Sequence, residues 1–188
     1  MKALIISLIA SFAAVSTLHA HCGTCGVGDE KHADSEDKHA KCYQGTMDGY
    51  FSIQKALAGD DLAAAKNAAS TLLSDMENSE CSMDGGDCCA EYNAAAEKIT
   101  KASDIKAARS AFKSFSDALI AQVESHGSEN AAYLMHCPMA FNNKGASWLQ
   151  DNADLKNPYY GSMMLACGVQ KASFGEQGKK KGHSGHQH

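Results

Sequence analysis

Apolar positions between residues 43 and 126 recur at intervals of three and four in four separate segments. This spacing keeps them on one face of a helix, so the pattern predicts four amphipathic helices. Gly59 is suited to end the first helix, and Asp60 or Asp61 to begin the second. The predicted core positions are Met47, Tyr50, Phe51, Gln54, Leu57, Ala58, Leu62, Ala65, Ala69, Leu72, Leu73, Met76, Tyr92, Ala95, Ala96, Ile99, Ile105, Ala108, Phe112, Phe115, Leu119 and Val123.

Short connections between successive helices favour antiparallel neighbours. Ser103 or Asp104 is suited to begin the fourth helix directly after the third. Residues 133–170 contain both prolines and the single tryptophan, and we interpret them as turns and short helices. The sequence therefore predicts an all-α protein. Its domain, residues 43–170, would be an up-and-down four-helix bundle with a C-terminal motif-bearing segment of turns and short helices.

The two ends of the chain differ from this domain. Residues 1–20 have a positive start, an apolar run and a small residue at Ala20, which is the pattern of a secretory signal peptide. We interpret residues 21–42 and 171–188 as disordered tails, the first with Cys and His and the second rich in Lys, Gly and His. We expect an exported protein, periplasmic or secreted, with no membrane span after signal cleavage.

The composition adds an excess of metal-binding residue types, with 8 Cys, 8 Met and 9 His among 188 residues. A formal net charge of −5 argues against nucleic acid as a partner. No nucleophile–base motif, phosphate-binding loop or paired-carboxylate signature is present, so we expect no enzyme activity. Binding through sulfur and imidazole is the chemistry that the composition favours.

Two motifs about thirty residues apart are the sharpest chemical feature. The first is His136-Cys137-Pro138-Met139, and the second contains Met164 and Cys167 at a spacing that places them on one face of a helical turn. Thiolates and thioethers are soft ligands that suit Cu(I), and by extension Ag(I). The predicted site comprises Cys137, Met139, Met164 and Cys167, with His136 or Met163 as an additional or competing donor.

A disulfide is the alternative interpretation of the same two cysteines. Closing a loop of about 30 residues would stabilise the fold by roughly 3–4 kcal/mol in the chain-entropy model. Met139 and Met164 would then be ordinary core residues. The two interpretations are compatible in one protein, since oxidation of Cys137 and Cys167 would prevent metal binding.

The other cysteines and histidines form weaker signals. Cys22 and Cys25 form a C-x-x-C motif in a polar segment without a preceding strand, which favours metal capture or a disulfide over dithiol catalysis. Cys81, Cys88 and Cys89 surround a Gly-Gly turn, where disulfides, with Cys42 as another partner, or a second metal site including Met83 are open alternatives. The tail imidazoles suit Cu(II), Zn(II) or Ni(II), or belong to plain low-complexity sequence. These are His183, His186 and His188.

The C-terminal motifs are similar to those of the bacterial family called domain of unknown function 3347. The similar segments are Cys137-Pro138-Met139-Ala140, Gly145-Ala146-Ser147-Trp148-Leu149, Asn157-Pro158-Tyr159-Tyr160-Gly161 and Met164-Leu165-Ala166-Cys167-Gly168, with the Ala56–Asp61 turn and the Arg109–Phe112 helix upstream. The resemblance covers about residues 43–170. It implies a periplasmic or exported domain that occurs alone or fused to adaptor subunits of copper and silver efflux pumps.

Pattern and resemblance together predict a Cu(I)- or Ag(I)-binding protein that buffers or hands over metal in the cell envelope, with an efflux adaptor as a candidate partner. The alternative is a disulfide-stapled helical interaction module with no metal role. The methionines matched to the two cysteines, which a disulfide does not need, favour the first of these hypotheses.

Overall fold

A computed structural model describes the backbone of residues 32–78 and 90–175, and the side chains of residues 45–78 and 90–175. The long helices are α1 (His32–Ala58), α2 (Leu62–Glu77), α3 (Ala90–Thr100) and α4 (Ile105–His126). The predicted signal peptide lies outside the described residues. Within them, no helix is long and apolar enough to cross a membrane.

The four helices predicted from the apolar spacing are confirmed. All the predicted core positions are buried or partly buried, and all of them except Gln54 and Ala58 belong to one apolar cluster. Asp61 caps α2 by accepting the Ala64 N–H, and Asp104 caps α4 by accepting the Ala107 N–H. Helix α1 takes in residues 32–42, for which the sequence shows no helical period.

An aromatic cluster joins α1 to α4. The rings of Tyr50 and Phe112 stack with centroids 4.8 Å apart, and Phe115 meets Tyr50 edge-on at 5.1 Å. The Tyr50 hydroxyl lies 2.7 Å from Ser116 Oγ and accepts the N–H of Leu149, which lies in the C-terminal region. Because burial raises the pKa of Tyr50, its hydroxyl stays neutral and serves as a structural link between the helices and that region.

The C-terminal region contains a β-sheet, so the all-α prediction is wrong and the fold is mixed α and β. Strands β1 (Ala132–Cys137), β2 (Ala146–Gln150) and β3 (Val169–Phe174) form an antiparallel sheet in the order β2-β1-β3. In the register, His136 lies opposite Ser147 on β2 and opposite Val169 on β3. Strand β3 also extends beyond residue 170, where the sequence places the end of the domain.

Strands β1 and β2 escaped prediction because side chains on both of their faces are covered, whereas β3 is exposed or only partly buried and has no apolar face to mark it. Trp148 and Leu149 are consecutive on β2 and therefore point to opposite faces, yet both are fully buried. Strands of this kind show no alternation of apolar and polar positions. The β1–β2 connection contains a single turn, α5 (Ala140–Asn143), in which Phe141, Asn142 and Asn143 take left-handed backbone conformations. No sequence period marks such a turn.

Candidate metal centre

The two cysteines of the predicted site come together at the end of β1, the central strand of the sheet. The sulfur atoms of Cys137 and Cys167 are 3.1 Å apart, and both thiols are free. Cys137 ends β1 and is fully buried, whereas Cys167 is half-buried in the segment that leads into β3. This separation exceeds the disulfide bond length of about 2.05 Å. The structure thus places two thiols in contact, one of them reachable from solvent.

The pairing of β1 with β3 accounts for this proximity. His136 lies opposite Val169, so Cys137 comes level with Gly168, directly beside Cys167. Gly168 has a φ of +149°, and a Cβ there would lie 3.0 Å from the ring of Trp148 and 3.1 Å from the His136 carbonyl. Only glycine combines this conformation with such a close approach. Gly168 therefore lets the cysteine segment lie close against the sheet.

The turn before Cys167 has the geometry expected from the Met164–Cys167 spacing. A short 3₁₀ helix covers Gly161–Met164, and the Cys167 N–H then donates to the Met164 carbonyl at 3.0 Å. An i to i+3 hydrogen bond of this kind places the two side chains on the same side of the turn. The turn thus places the Met164 thioether and the Cys167 thiol on the same side.

Asn157 holds the Cys167 segment from inside the protein. It is fully buried, its Nδ2 donates to the Cys167 carbonyl at 2.7 Å, and its backbone N–H donates to Leu165 at 2.8 Å. Its Oδ1 accepts the Tyr159 N–H at 2.8 Å. The sequence analysis interpreted Asn157 only as a turn residue, since a long-range hydrogen bond leaves no local pattern.

The methionines of the two motifs lie at the surface around the thiols. Met139 is 44% exposed and Met163 is 77% exposed, while Met164 is half-buried. The Met139 carbonyl accepts the Tyr160 hydroxyl at 2.6 Å, which links the first motif to the loop before the second. Among the described residues, the exposed large apolar side chains all flank the two cysteines. They are Met139, Met163, Leu165 and Val169.

His136 points away from the thiols. Adjacent side chains of a strand face opposite sides of the sheet, so His136 and Cys137 diverge. The His136 Nδ1 lies 3.0 Å from Ser147 Oγ, and its ring covers Gly145, where a Cβ would come within 2.9 Å of Cε1. The structure therefore places His136 in a local contact of the β1–β2 pair.

The surroundings of Cys167 favour its protonated thiol. Hydrogen bonding to Cys137, together with desolvation and the repulsion between two sulfur charges, raises the pKa of Cys167 above its usual value. A metal that binds here must displace the protons of the thiols, so protons and the metal compete for the same sulfur atoms. In the described part of the chain, no three His, Cys, Asp or Glu side chains group closely enough to hold a metal ion. The pair itself supplies two donors.

The auxiliary candidates lie outside the described side chains. These are Cys22, Cys25, Cys42, Cys81, Met83, Cys88, Cys89, His183, His186 and His188.

A cluster of polar contacts, named here the Asp60–Arg109 clamp, lies where the cysteine loop meets the helices. Arg109, the single arginine of the chain, donates to Asp60 Oδ1 at 2.6 Å, to the Leu57 carbonyl at 2.9 Å and to the Pro158 carbonyl at 2.7 Å. The other carboxylate oxygen of Asp60 accepts the backbone N–H and the hydroxyl of Ser162. The clamp joins the α1–α2 turn, α4 and the loop before Cys167. In the sequence, the feature that could have indicated this clamp was the single arginine.

The contacts of this clamp act strongly on Asp60. Hydrogen bonds from Ser162, followed by the bond and charge of Arg109, lower the pKa of Asp60 to about 2. Asp60 has a φ of 60°, a left-handed conformation that Asp tolerates better than most residues. Gly161 has the same φ, and a Cβ on it would lie 2.0 Å from Asp60 Oδ1. The loop can therefore approach the carboxylate only with glycine at this position.

Comparison with known proteins gives a family for the helical part. Residues 46–131 match the model of the family described as Protein of unknown function (DUF3347). The matched range covers residues 46–58 of α1, all of α2 to α4 and the residues before β1, and it stops short of Cys137 and Cys167. No curated protein and no solved structure matches the chain.

Proposed function

We propose that this chain, which belongs to the domain of unknown function 3347 family, binds a soft metal ion, Cu(I) or Ag(I), through Cys137 and Cys167. Met139 and Met164 are the proposed additional ligands. The carrying observation is the contact of two free thiols 3.1 Å apart at the end of strand β1, with exposed methionines two and four residues from them in the sequence. Sulfur donors of both kinds are the ligands that Cu(I) prefers.

The asymmetry of the two cysteines supports binding with a small movement. Metal–thiolate bonds of about 2.3 Å, as in zinc sites, place the sulfurs of a tetrahedral centre about 3.8 Å apart. The thiols must therefore separate slightly from 3.1 Å to admit a metal. Cys137 is fixed in β1, while Cys167 lies in a turn outside any strand. We expect the Cys167 side to make this movement.

The exposed methionines support transfer of the metal to another protein. Exposed apolar side chains are informative when they occur together, and all four of the described ones lie within four residues of Cys137 or Cys167 in the sequence. In the proposed transfer, a thiolate or thioether of the acceptor displaces one ligand of this site before the metal leaves. Met139 and Cys167, both reachable from solvent, are the ligands that we expect to exchange first. We propose no catalytic role for any of these residues.

We further propose that the protein acts in the cell envelope after export and buffers the metal or passes it to an efflux adaptor. The pattern of residues 1–20 supports export. The resemblance of the C-terminal motifs supports the choice of partner.

Competition against a Cu(I) chelator, without oxygen and with reduced full-length protein, tests the metal site. We expect the Cys137→Ser/Cys167→Ser variant to lose one tightly bound ion. The Cys22→Ser/Cys25→Ser variant also removes two thiols, and it should retain that ion. His136→Ala should retain it as well, because the ring faces the other side of β1. Equal binding by wild type and the Cys137/Cys167 variant would overturn the proposal.

The disulfide-stapled interaction module remains the second candidate, because the same sulfur contact favours it. It predicts that protein purified from the envelope without reductant has no free thiol at Cys137 or Cys167. It also predicts that Met139→Leu and Met164→Leu leave metal binding unchanged. Alkylation of free thiols in native protein, followed by peptide mass spectrometry, separates the two candidates. Free thiols at both positions would rule out the second.

A further inference from the structure

The two cysteines are held in place by different means. Cys137 ends the central strand of the sheet, where it pairs with Ala146 on β2 and follows His136, which pairs on both sides. Cys167 follows the 3₁₀ turn and belongs to no strand, so its position depends on the contacts of the loop before it. Those contacts are the Asn157 hydrogen bonds and the Asp60–Arg109 clamp.

We propose that the Asp60–Arg109 clamp is a positioning device that sets how closely Cys167 approaches Cys137. Asp60 accepts hydrogen bonds from the backbone N–H and the hydroxyl of Ser162, at the start of the 3₁₀ turn. Arg109 donates to the carbonyl of Pro158, just before that turn. The turn then passes through Met164, whose carbonyl accepts the Cys167 N–H. The clamp thus holds one end of a short, rigid segment, and the thiol lies at the other end.

The geometry of Arg109 is one that a lysine side chain would not reproduce. Its guanidinium contacts three acceptors from three parts of the chain, the carboxylate of Asp60 and the carbonyls of Leu57 and Pro158. A planar group with several fixed donors can satisfy them together, whereas a single ammonium cannot hold the same directions. The Arg109 side chain is 12% exposed, so the pair with Asp60 is less open to screening than an ordinary surface pair.

The approach of the thiols can be measured without any metal. In a glutathione buffer, Cys137 and Cys167 lose two electrons and two protons to form a disulfide, while one glutathione disulfide is reduced to two glutathione molecules. The equilibrium constant reports how well the fold presents one thiol to the other. Trypsin separates the two cysteines into peptides 114–144 and 157–171, each with a single Cys, so alkylation and mass spectrometry follow this pair in the full chain.

Asp60→Asn and Asp61→Asn form a matched pair of variants. Both remove one negative charge from the same turn, and Asn accepts the left-handed conformation at position 60 and the capping role at position 61. Asp60→Asn removes the negative charge of the clamp and replaces one of its two acceptor oxygens with a donating amide group, whereas Asp61→Asn leaves the clamp intact. Arg109→Lys tests the clamp from the other side with the charge retained.

We expect Asp60→Asn and Arg109→Lys to lower the Cys137–Cys167 equilibrium constant by about fivefold or more, because charge-assisted hydrogen bonds are lost. Asp61→Asn should stay within about twofold of wild type, since it retains the clamp and the cap. Far-UV circular dichroism checks that helix content is unchanged in each variant, so that a general loss of structure is separated from a local one.

Wild-type equilibrium constants in both clamp variants, or an equal shift in Asp61→Asn, would overturn the proposal. An effect of the clamp on Cu(I) affinity rests on the proposed function, and we expect it to follow the disulfide equilibrium. A shifted disulfide equilibrium in a protein that binds no Cu(I) would remove the metal function and leave the clamp proposal standing.

Discussion

The helices and the sheet are specified by the sequence in different ways. Each helix contains its own signals: a period in the apolar positions and capping residues such as Asp61 and Asp104. The sheet has contacts that span long stretches of chain, such as Tyr50 with Leu149 and Asn157 with Cys167. The family match covers the helices and stops before β1. The difference indicates that the helices are the scaffold on which the candidate site is assembled.

The largest loss of stability should follow when a large core side chain is truncated, either in the sheet or in the helices. Trp148→Ala in the sheet and Phe115→Ala in the helices should each destabilise the protein by about 3–5 kcal/mol, through lost burial and a cavity. Urea unfolding followed by far-UV circular dichroism measures both. If the sheet stabilises the helices, both variants lower the midpoint of the helical transition. An unchanged midpoint in Trp148→Ala would show that the sheet folds independently.

A smaller effect should follow from loss of the Asn157 side chain. Asn157→Ala removes hydrogen bonds to the Cys167 carbonyl and the Tyr159 N–H in a buried site, which should cost about 1–3 kcal/mol. Asn67→Ala on the exposed side of α2 makes the same chemical change and should be neutral or slightly stabilising. Urea unfolding of the two variants gives the difference. Equal stabilities would contradict the role assigned to Asn157.

A helix cap should matter less than that buried amide. Asp104→Ala removes the acceptor of the Ala107 N–H at the start of α4 and should cost about 1 kcal/mol. Asp104→Asn retains an acceptor and is the matched control. Thermal unfolding of both variants tests the difference. If Asp104→Ala cost as much stability as Trp148→Ala, the caps of the helices would contribute as much to stability as the core of the sheet.

The smallest effect at ordinary pH concerns the Asp60–Arg109 clamp. The pKa of Asp60 is lowered from 3.8 to about 2 in the folded protein, so its contribution to stability is present above pH 3.8. That contribution is lost as the pH falls from 3.8 through about 2, because the carboxylate becomes protonated. The stability difference between wild type and Asp60→Asn should therefore shrink in this window. A difference that stays constant down to pH 2 would contradict the ionic part of the clamp.

Individual residues show which parts of the structure could be predicted from the sequence and which could not. The period of three and four located the four helices and their core because each residue's burial depends on its own helix face. The proximity of Cys137 and Cys167 followed from matched motifs. Strand β2 was missed because Trp148 and Leu149 are both buried, so its sequence shows no alternation of apolar and polar positions. His136 was grouped with the thiols as a sequence neighbour, whereas strand geometry turns it to the other face.

The central place of β1 in the sheet fixes an order in which the sheet can be assembled. Strands β1 and β2 are joined by a short connection and can pair as soon as residue 150 is available. Strand β3 reaches the other edge of β1 only after the whole 151–168 segment has been laid down. A chain that ends before residue 167, whether nascent or truncated, therefore contains Cys137 and its pairing with β2 but no partner thiol.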